Sequence, residues 1–158
     1  MMMRIVLVAA ASAVILSACA DDTDYNTYPD GDNTPWHLTR NGNELDYEIA
    51  DRVLFQNDSA ELGEHADRVI AALAEEARHH KGATIVVDGY TDTTGSADHN
   101  LDLSRERAET VASALMKQGV NDRRIETHGY GETHLAVETG DQVSEPRNRR
   151  VVIRLTNT

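Results

Sequence analysis

The sequence predicts a two-layer α/β (α+β) sandwich, with two main helices on one face of a four-stranded mixed sheet in the order βαβαββ. Three observations carry that prediction: two apolar stripes at helical spacing, short β-branched runs around them, and a length suited to one domain.

Val53-Leu54-Phe55 is a short apolar run and is expected to form the first, buried strand. Leu62, Ala66, Val69, Ile70, Leu73 and Ala77 follow at the spacing of one helix face, and Gly82 stands just past the His79-His80-Lys81 end to stop the helix. Thr84 to Tyr90 is β-branched and apolar, the composition of a central strand. After a polar loop containing Gly95, the residues Leu103, Ala108, Val111, Ala112, Leu115 and Met116 trace a second helix that ends near Gly119. Residues 124–130 and 149–155 supply the last two strands. In the final one, Val151, Ile153 and Leu155 alternate with Arg150, Val152 and Arg154, as expected of a sheet with one more exposed face.

The N-terminus predicts export. Arg4 precedes an apolar stretch from Ile5 to Leu16, the length of a signal-peptide core and too short for a spanning helix, which needs about 20 apolar residues. Leu16-Ser17-Ala18-Cys19 closes it with the single cysteine of the chain, a pattern resembling the lipobox at which a cysteine is acylated and the chain is cut. Each buried acyl methylene contributes roughly 0.8 kcal/mol, so several chains on Cys19 make a durable anchor. Residues 1–18 are therefore expected to be a lipoprotein signal, 19–43 the lipidated end and a flexible linker, and 44–158 the folded domain. The linker expectation rests on a run of Asp, Asn, Thr, Gly and Pro that buries too little apolar surface to offset its ordering entropy. Asp24, Asp30 and Asp32 in it lack the fixed spacing and closing Glu of a calcium loop. No metal or cofactor is expected.

Charge narrows the function. With 27 acidic against 15 basic residues and a net charge of −12, the chain lacks the clustered Lys and Arg that phosphate contacts need, so nucleic acid is excluded as a partner. His79-His80 sits at a solvated helix end, since adjacent helical residues do not face one another. Asp98-His99 lies near Asp92, but no serine elbow, metal-ligand spacing or nucleophilic cysteine accompanies it, so an enzyme is not expected. Tyr130 and Trp36 are aromatic residues of the kind that stack on sugar, but an isolated aromatic is more often packing; Trp36 carries no assignment.

The densest polar stretch runs from Gly89 to Ala108, joining a strand end to the first turns of a helix, where open α/β sheets commonly bind ligands. Asn100, Leu103, Ser104 and Arg107 share one helix face, and Arg107 is placed to point back towards Asp92. An arginine fork pairs a carboxylate and an aspartate pairs an ammonium, so together they can hold a zwitterion, helped by free N–H groups at the helix start. Spacing alone leaves a plain Asp92–Arg107 salt bridge equally open.

Thr91-Asp92-x-x-Gly95, Asn100-x-x-Leu103-Ser104-x-x-Arg107-Ala108-x-x-Val111, Gly119-Val120, Gly129-Tyr130-Gly131-Glu132 and Asn148-Arg149-Arg150-Val151 together resemble the OmpA-like C-terminal domain. The resemblance runs from Val53 to Leu155. It implies non-covalent binding of peptidoglycan through its peptide stem, without cleavage. It implies that Asp92 and Arg107 grip the diaminopimelate zwitterion, and that Asn100, Asn148 and Arg149 line or support the pocket. Thr133-His134-Leu135 departs from the family, which often has a proline after Gly-Tyr-Gly-Glu; neither gripping residue is touched by the change. Beside the lipobox, the resemblance implies a lipoprotein joining the outer membrane, through lipid on Cys19, to peptidoglycan. Ala20 after the cysteine favours the outer membrane, on its periplasmic face. The alternatives are a Pal-type scaffold with Tol envelope partners and, less favoured, a cell-wall hydrolase.

Overall fold

The computed structural model describes residues 34–157; the signal, Cys19 and most of the expected linker lie outside them. The elements in chain order are β1 (His37–Asn41), β2 (Glu44–Ala50), α1 (Asp51–Leu54), α2 (Ala66–His79), β3 (Thr84–Tyr90), α3 (Ala97–Lys117), β4 (Ile125–Gly129) and β5 (Arg150–Thr156). The mixed sheet has five strands in the order β1-β2-β5-β3-β4, antiparallel throughout except for the β3–β4 pair, and α2 and α3 pack on one face.

The fold class is the expected one, but its first strand is elsewhere. Val53-Leu54-Phe55 lies in the single turn α1 and the residue after it, with Phe55 making only an isolated bridge to Leu62. A short apolar run is compatible with either a buried strand or a buried turn, and here the edge of the sheet is already filled from upstream. The filling element is a β1–β2 hairpin, so residues 37–43, expected in the linker, are structured. Its two-residue turn puts Gly42 at the first central position with φ +60°, where a II′ turn calls for glycine. Leu45, Tyr47 and Ile49 of β2 face the helices while Glu44, Asp46 and Glu48 face away, and Trp36 packs edge-on to Tyr47. Leu62 belongs to the Phe55 bridge, so α2 begins only at Ala66.

The core is the layer between sheet and helices. Leu45, Tyr47, Ile49, Ile85, Val87, Val151, Ile153 and Leu155 meet Val69, Ile70 and Leu73 of α2 and Val111 and Leu115 of α3. Full burial of each such aliphatic side chain contributes about 1.5–3 kcal/mol. The opposite face of the sheet is polar and aromatic: His128 lies 2.9 Å from the buried Asp88, Tyr130 stacks on Tyr90, and the Arg150 guanidinium covers the Tyr90 ring at 4.0 Å.

Local chemistry sets the ends of α3. Ser96 caps it by accepting from the His99 N–H at 3.3 Å. At the other end Gly119, with φ +90°, and Val120 return their N–H groups to Met116 and Leu115, the paired bonds of a Schellman stop. Glycines bring this helix against the sheet: a Cβ on Gly89 would lie 2.2 Å from the Ser104 carbonyl oxygen, and one on Gly129 would lie 2.5 Å from the Arg105 nitrogen. The close approach seats the first three turns of α3 directly over the ends of β3 and β4.

Gly89→Ala should therefore cost about 3 kcal/mol or more in unfolding free energy, measured by urea denaturation. Gly82→Ala, with nothing within 4 Å of its Cβ, should change stability by no more than about 0.5 kcal/mol. Equal effects at both positions would contradict the close packing of α3.

Candidate functional site

The site forms where four segments meet: the β3–α3 loop, the helix α3, the β4–β5 loop, and the turn α1 with the residues after it. The two long loops are joined through their backbones. Thr91 N–H donates to the Gly131 carbonyl at 2.9 Å, and Gln142 N–H donates to the Thr93 carbonyl at 2.9 Å. Side chains tighten the seam. The Thr93 hydroxyl donates to the Gly140 carbonyl at 2.7 Å and accepts from Val143 N–H at 3.0 Å, while the Gln142 amide closes a two-bond ring with the Gly95 backbone.

Asp92 is buried within this seam. Its Oδ1 accepts from the Thr94 N–H at 3.1 Å and from the Thr94 hydroxyl, and its Oδ2 accepts from Arg149 Nη1 at 2.7 Å and the Glu145 N–H at 3.2 Å. Four donors fill the acceptor capacity of one carboxylate. Burial pushes the Asp92 carboxyl up, but the bonds from Thr94 and Arg149 outweigh it and hold the group below its ordinary range.

Arg107 does not reach Asp92, as its spacing on the helix had indicated it would. It donates through Nη1 to Asp51 Oδ2 at 3.4 Å and through Nε to the Ser59 carbonyl at 3.0 Å, with its guanidinium 5.1 Å from the centre of the Phe55 ring. The reason is distance along the helix. Arg107 lies ten residues beyond Ala97, roughly 15 Å of helical rise, which brings it beside α1 rather than the loop that holds Asp92. Burial draws the Arg107 pKa down against the opposing charges of Asp51 and Asp58, but a guanidinium stays protonated at any physiological pH.

Arg149 joins the two halves. Its Nε donates to Asp51 Oδ2 at 3.2 Å while its Nη1 holds Asp92. The result is one line of alternating charge, Arg107–Asp51–Arg149–Asp92, in which the Arg107 and Asp92 side chains are 4% and 3% exposed and Arg149 is 29% exposed. Burial works against the charge on Arg149, but Asp92 and Asp51 outweigh it and its pKa is raised.

Asn100 and Asn148 hold backbone in place. Asn100 Nδ2 donates to the carbonyls of Asp92 and Thr94 and to Glu132 Oε2 at 2.6 Å. Asn148 is fully buried and binds the Val137 backbone twice, at 2.8 Å each, bracing the β4–β5 loop. Thr91 Oγ1 is buried without a hydrogen-bond partner among the described residues. Asp51, Ser59 and Glu145 are additions that the sequence motif did not announce, while Glu132 stands in the Gly-Tyr-Gly-Glu motif and gains a partner here in Asn100. Asp51 alone carries a hint, as a carboxylate directly after the alternation of β2.

Among the described residues no three His, Cys, Asp or Glu side chains are grouped to hold a metal ion, and no helix is long and apolar enough to cross a membrane. His79 pairs with Glu75 at an exposed helix end. Tyr130 packs between Tyr90 and His134.

Because the folded Asp92 pKa is depressed, its contribution to stability is full above the unfolded value near 3.8 and is lost as pH falls through the lower folded value. The melting-temperature gap between wild type and Asp92→Asn should be constant from pH 7 to about 5 and shrink below about pH 4. A gap that widened on acidification would contradict the sign.

The sequence profile described as the OmpA family matches residues 54–149. The chain is 34% identical over 119 residues to the "Probable lipoprotein YiaD" of Escherichia coli K12, covering 75% of this chain and 54% of that protein. It is 28% identical over 153 residues to the "Peptidoglycan-associated lipoprotein" of Mesorhizobium japonicum, covering 96% of this chain and 91% of that one. The chain thus spans about half the length of the first of these relatives and nearly all of the second. In three dimensions it resembles the peptidoglycan-associated lipoprotein of Burkholderia pseudomallei, with a TM-score of 0.59 at 29% identity over 66% of this chain and 88% of that one. The OmpA-like domain of FopA1 from Francisella tularensis shares the fold, with a TM-score of 0.63 at 22% identity over 84% of this chain and 88% of that one. The chain belongs to the OmpA family.

Proposed function

We propose that the domain binds the diaminopimelate end of the peptidoglycan stem without cleaving it, the ammonium going to Asp92 and the carboxylate to Arg107. The observation that carries this reading is the pair of buried opposite charges, Asp92 and Arg107, held in one line with a second opposite pair between them. Binding is an exchange. The Asp92 carboxylate already accepts four bonds, so an incoming ammonium must replace one donor. Arg149 is the most exposed member of the line and stands on a long loop, so it is the donor that yields. Asn100 and Asn148 keep the loops that frame the exchange in place.

The domain would act at the end of a lipid tether on Cys19, from the periplasmic face of the outer membrane. A non-catalytic grip on the wall is useful when its other end is anchored. The lipobox and the relatives named lipoproteins support that address. A second reading, a Pal-type scaffold that also recruits Tol envelope proteins, is favoured by the nearly full-length match to a peptidoglycan-associated lipoprotein. Recovery of Tol proteins in a pull-down from envelopes supports the scaffold, and a plain tether recovers none.

Cosedimentation of the full chain with purified sacculi tests the grip. Asp92→Ala and Arg107→Ala should each weaken binding by about 2–5 kcal/mol, because each strands a buried partner charge, while circular dichroism stays native. No muropeptides should be released. Wild-type retention by both folded variants would overturn the zwitterion grip, and released fragments would overturn the non-catalytic reading.

A further inference from the structure

We propose that Asp51 determines the specificity of the site: by cancelling one of its two arginines, it tunes the pocket to a ligand end carrying both an ammonium and a carboxylate, against one carrying a carboxylate alone. The inference rests on the ligand class proposed above.

Asp51 is held for this task. It is the first residue of α1, directly after β2, and its N–H donates to the Arg149 carbonyl at 3.1 Å while its own carbonyl accepts from Phe55 N–H at 2.8 Å. The side chain is 14% exposed, and one oxygen, Oδ2, receives both Arg149 Nε and Arg107 Nη1. It is thus the only carboxylate among the described residues that is ion-paired to both arginines.

Charge balance turns this geometry into a preference. The four directly paired groups are two guanidiniums and two carboxylates, so the line is neutral as a unit. Asp58 acts on Arg107 only through its field, and the Glu145 carboxylate is taken up by Arg147. A neutral pocket with separated charges favours a neutral ligand end with separated charges. Without the charge on Asp51, two guanidiniums face a single paired carboxylate; the excess attracts a carboxylate and repels an ammonium. Asp51→Asn keeps the shape and an acceptor oxygen while removing that charge. Arg149→Gln shifts the balance the other way.

The test compares two soluble ligands on the full-length chain in detergent: the tripeptide L-alanyl-γ-D-glutamyl-meso-diaminopimelate, and the same tripeptide with its side-chain amine acetylated. Titration calorimetry reads the ratio of affinities. Wild type should favour the free amine, Asp51→Asn should narrow that preference by about fivefold, and Arg149→Gln should widen it. A merely structural role for Asp51 weakens both ligands together and leaves the ratio where it was; an unchanged ratio in folded Asp51→Asn overturns the assignment. If that variant fails to fold, Arg149→Gln decides, and a ratio that does not widen overturns it. A wild-type chain that binds neither tripeptide overturns the ligand class itself, and the role of Asp51 with it.

Discussion

The line Arg107–Asp51–Arg149–Asp92 is the interaction on which the rest of the site depends. Buried charges are tolerated only when each is paired and hydrogen-bonded, and removing one member leaves its neighbour unsatisfied in a poorly solvating interior. Here that requirement ties together parts of the chain that share no secondary structure. Arg107 comes from α3, Asp51 from the turn after β2, Arg149 from the residue before β5, and Asp92 from the loop after β3. A charge line assembled this way cross-links those four segments. Only Arg149 retains much contact with solvent.

The sheet makes the juxtaposition possible. β5 runs between β2 and β3, so the start of β5 lies beside the end of β2 on one flank and the end of β3 on the other. Ala50 and Tyr90 both pair with Arg150 in register. Asp51, Arg149 and Thr91 are the next residues out from that row, and the Asp51 N–H to Arg149 carbonyl bond continues the ladder one step beyond the strands. Gly89 and Gly129 then let α3 descend far enough to bring Arg107 to the same end. Topology, register and two missing side chains thus position a charged site before any of its own bonds are considered.

Much of this was legible in the sequence. Helix periodicity located α2 and α3, and β-branched runs located β3 and β5, because those elements bury one full face each. The β1–β2 hairpin is less legible, although Leu45, Tyr47 and Ile49 alternate with Glu44, Asp46 and Glu48, because its glycine turn adjoins a polar stretch that disguises where the domain begins. Val53-Leu54-Phe55 suits a strand in sequence but lies in and just after α1, because a three-residue apolar run does not distinguish a strand from a buried turn. Motif resemblance singled out Asp92, Arg107, Asn100, Asn148 and Arg149 as candidates, but not their bonds. Asp51 lies 56 residues from Arg107 and 98 from Arg149. No local pattern links them; the link exists only once β2 and β5 pair.

The central claim is that Asp92 and Arg107 receive the two charges of one ligand end, with Arg149 giving way. The most direct measurement is the NMR titration of arginine side-chain Nε–H resonances in the full-length chain with the diaminopimelate tripeptide. The Arg149 and Arg107 signals should both shift and saturate at the same ligand concentration, as one exchange reaches both ends of the line. Saturable binding that left Arg107 and Arg149 unmoved would show the ligand seated elsewhere and contradict the account.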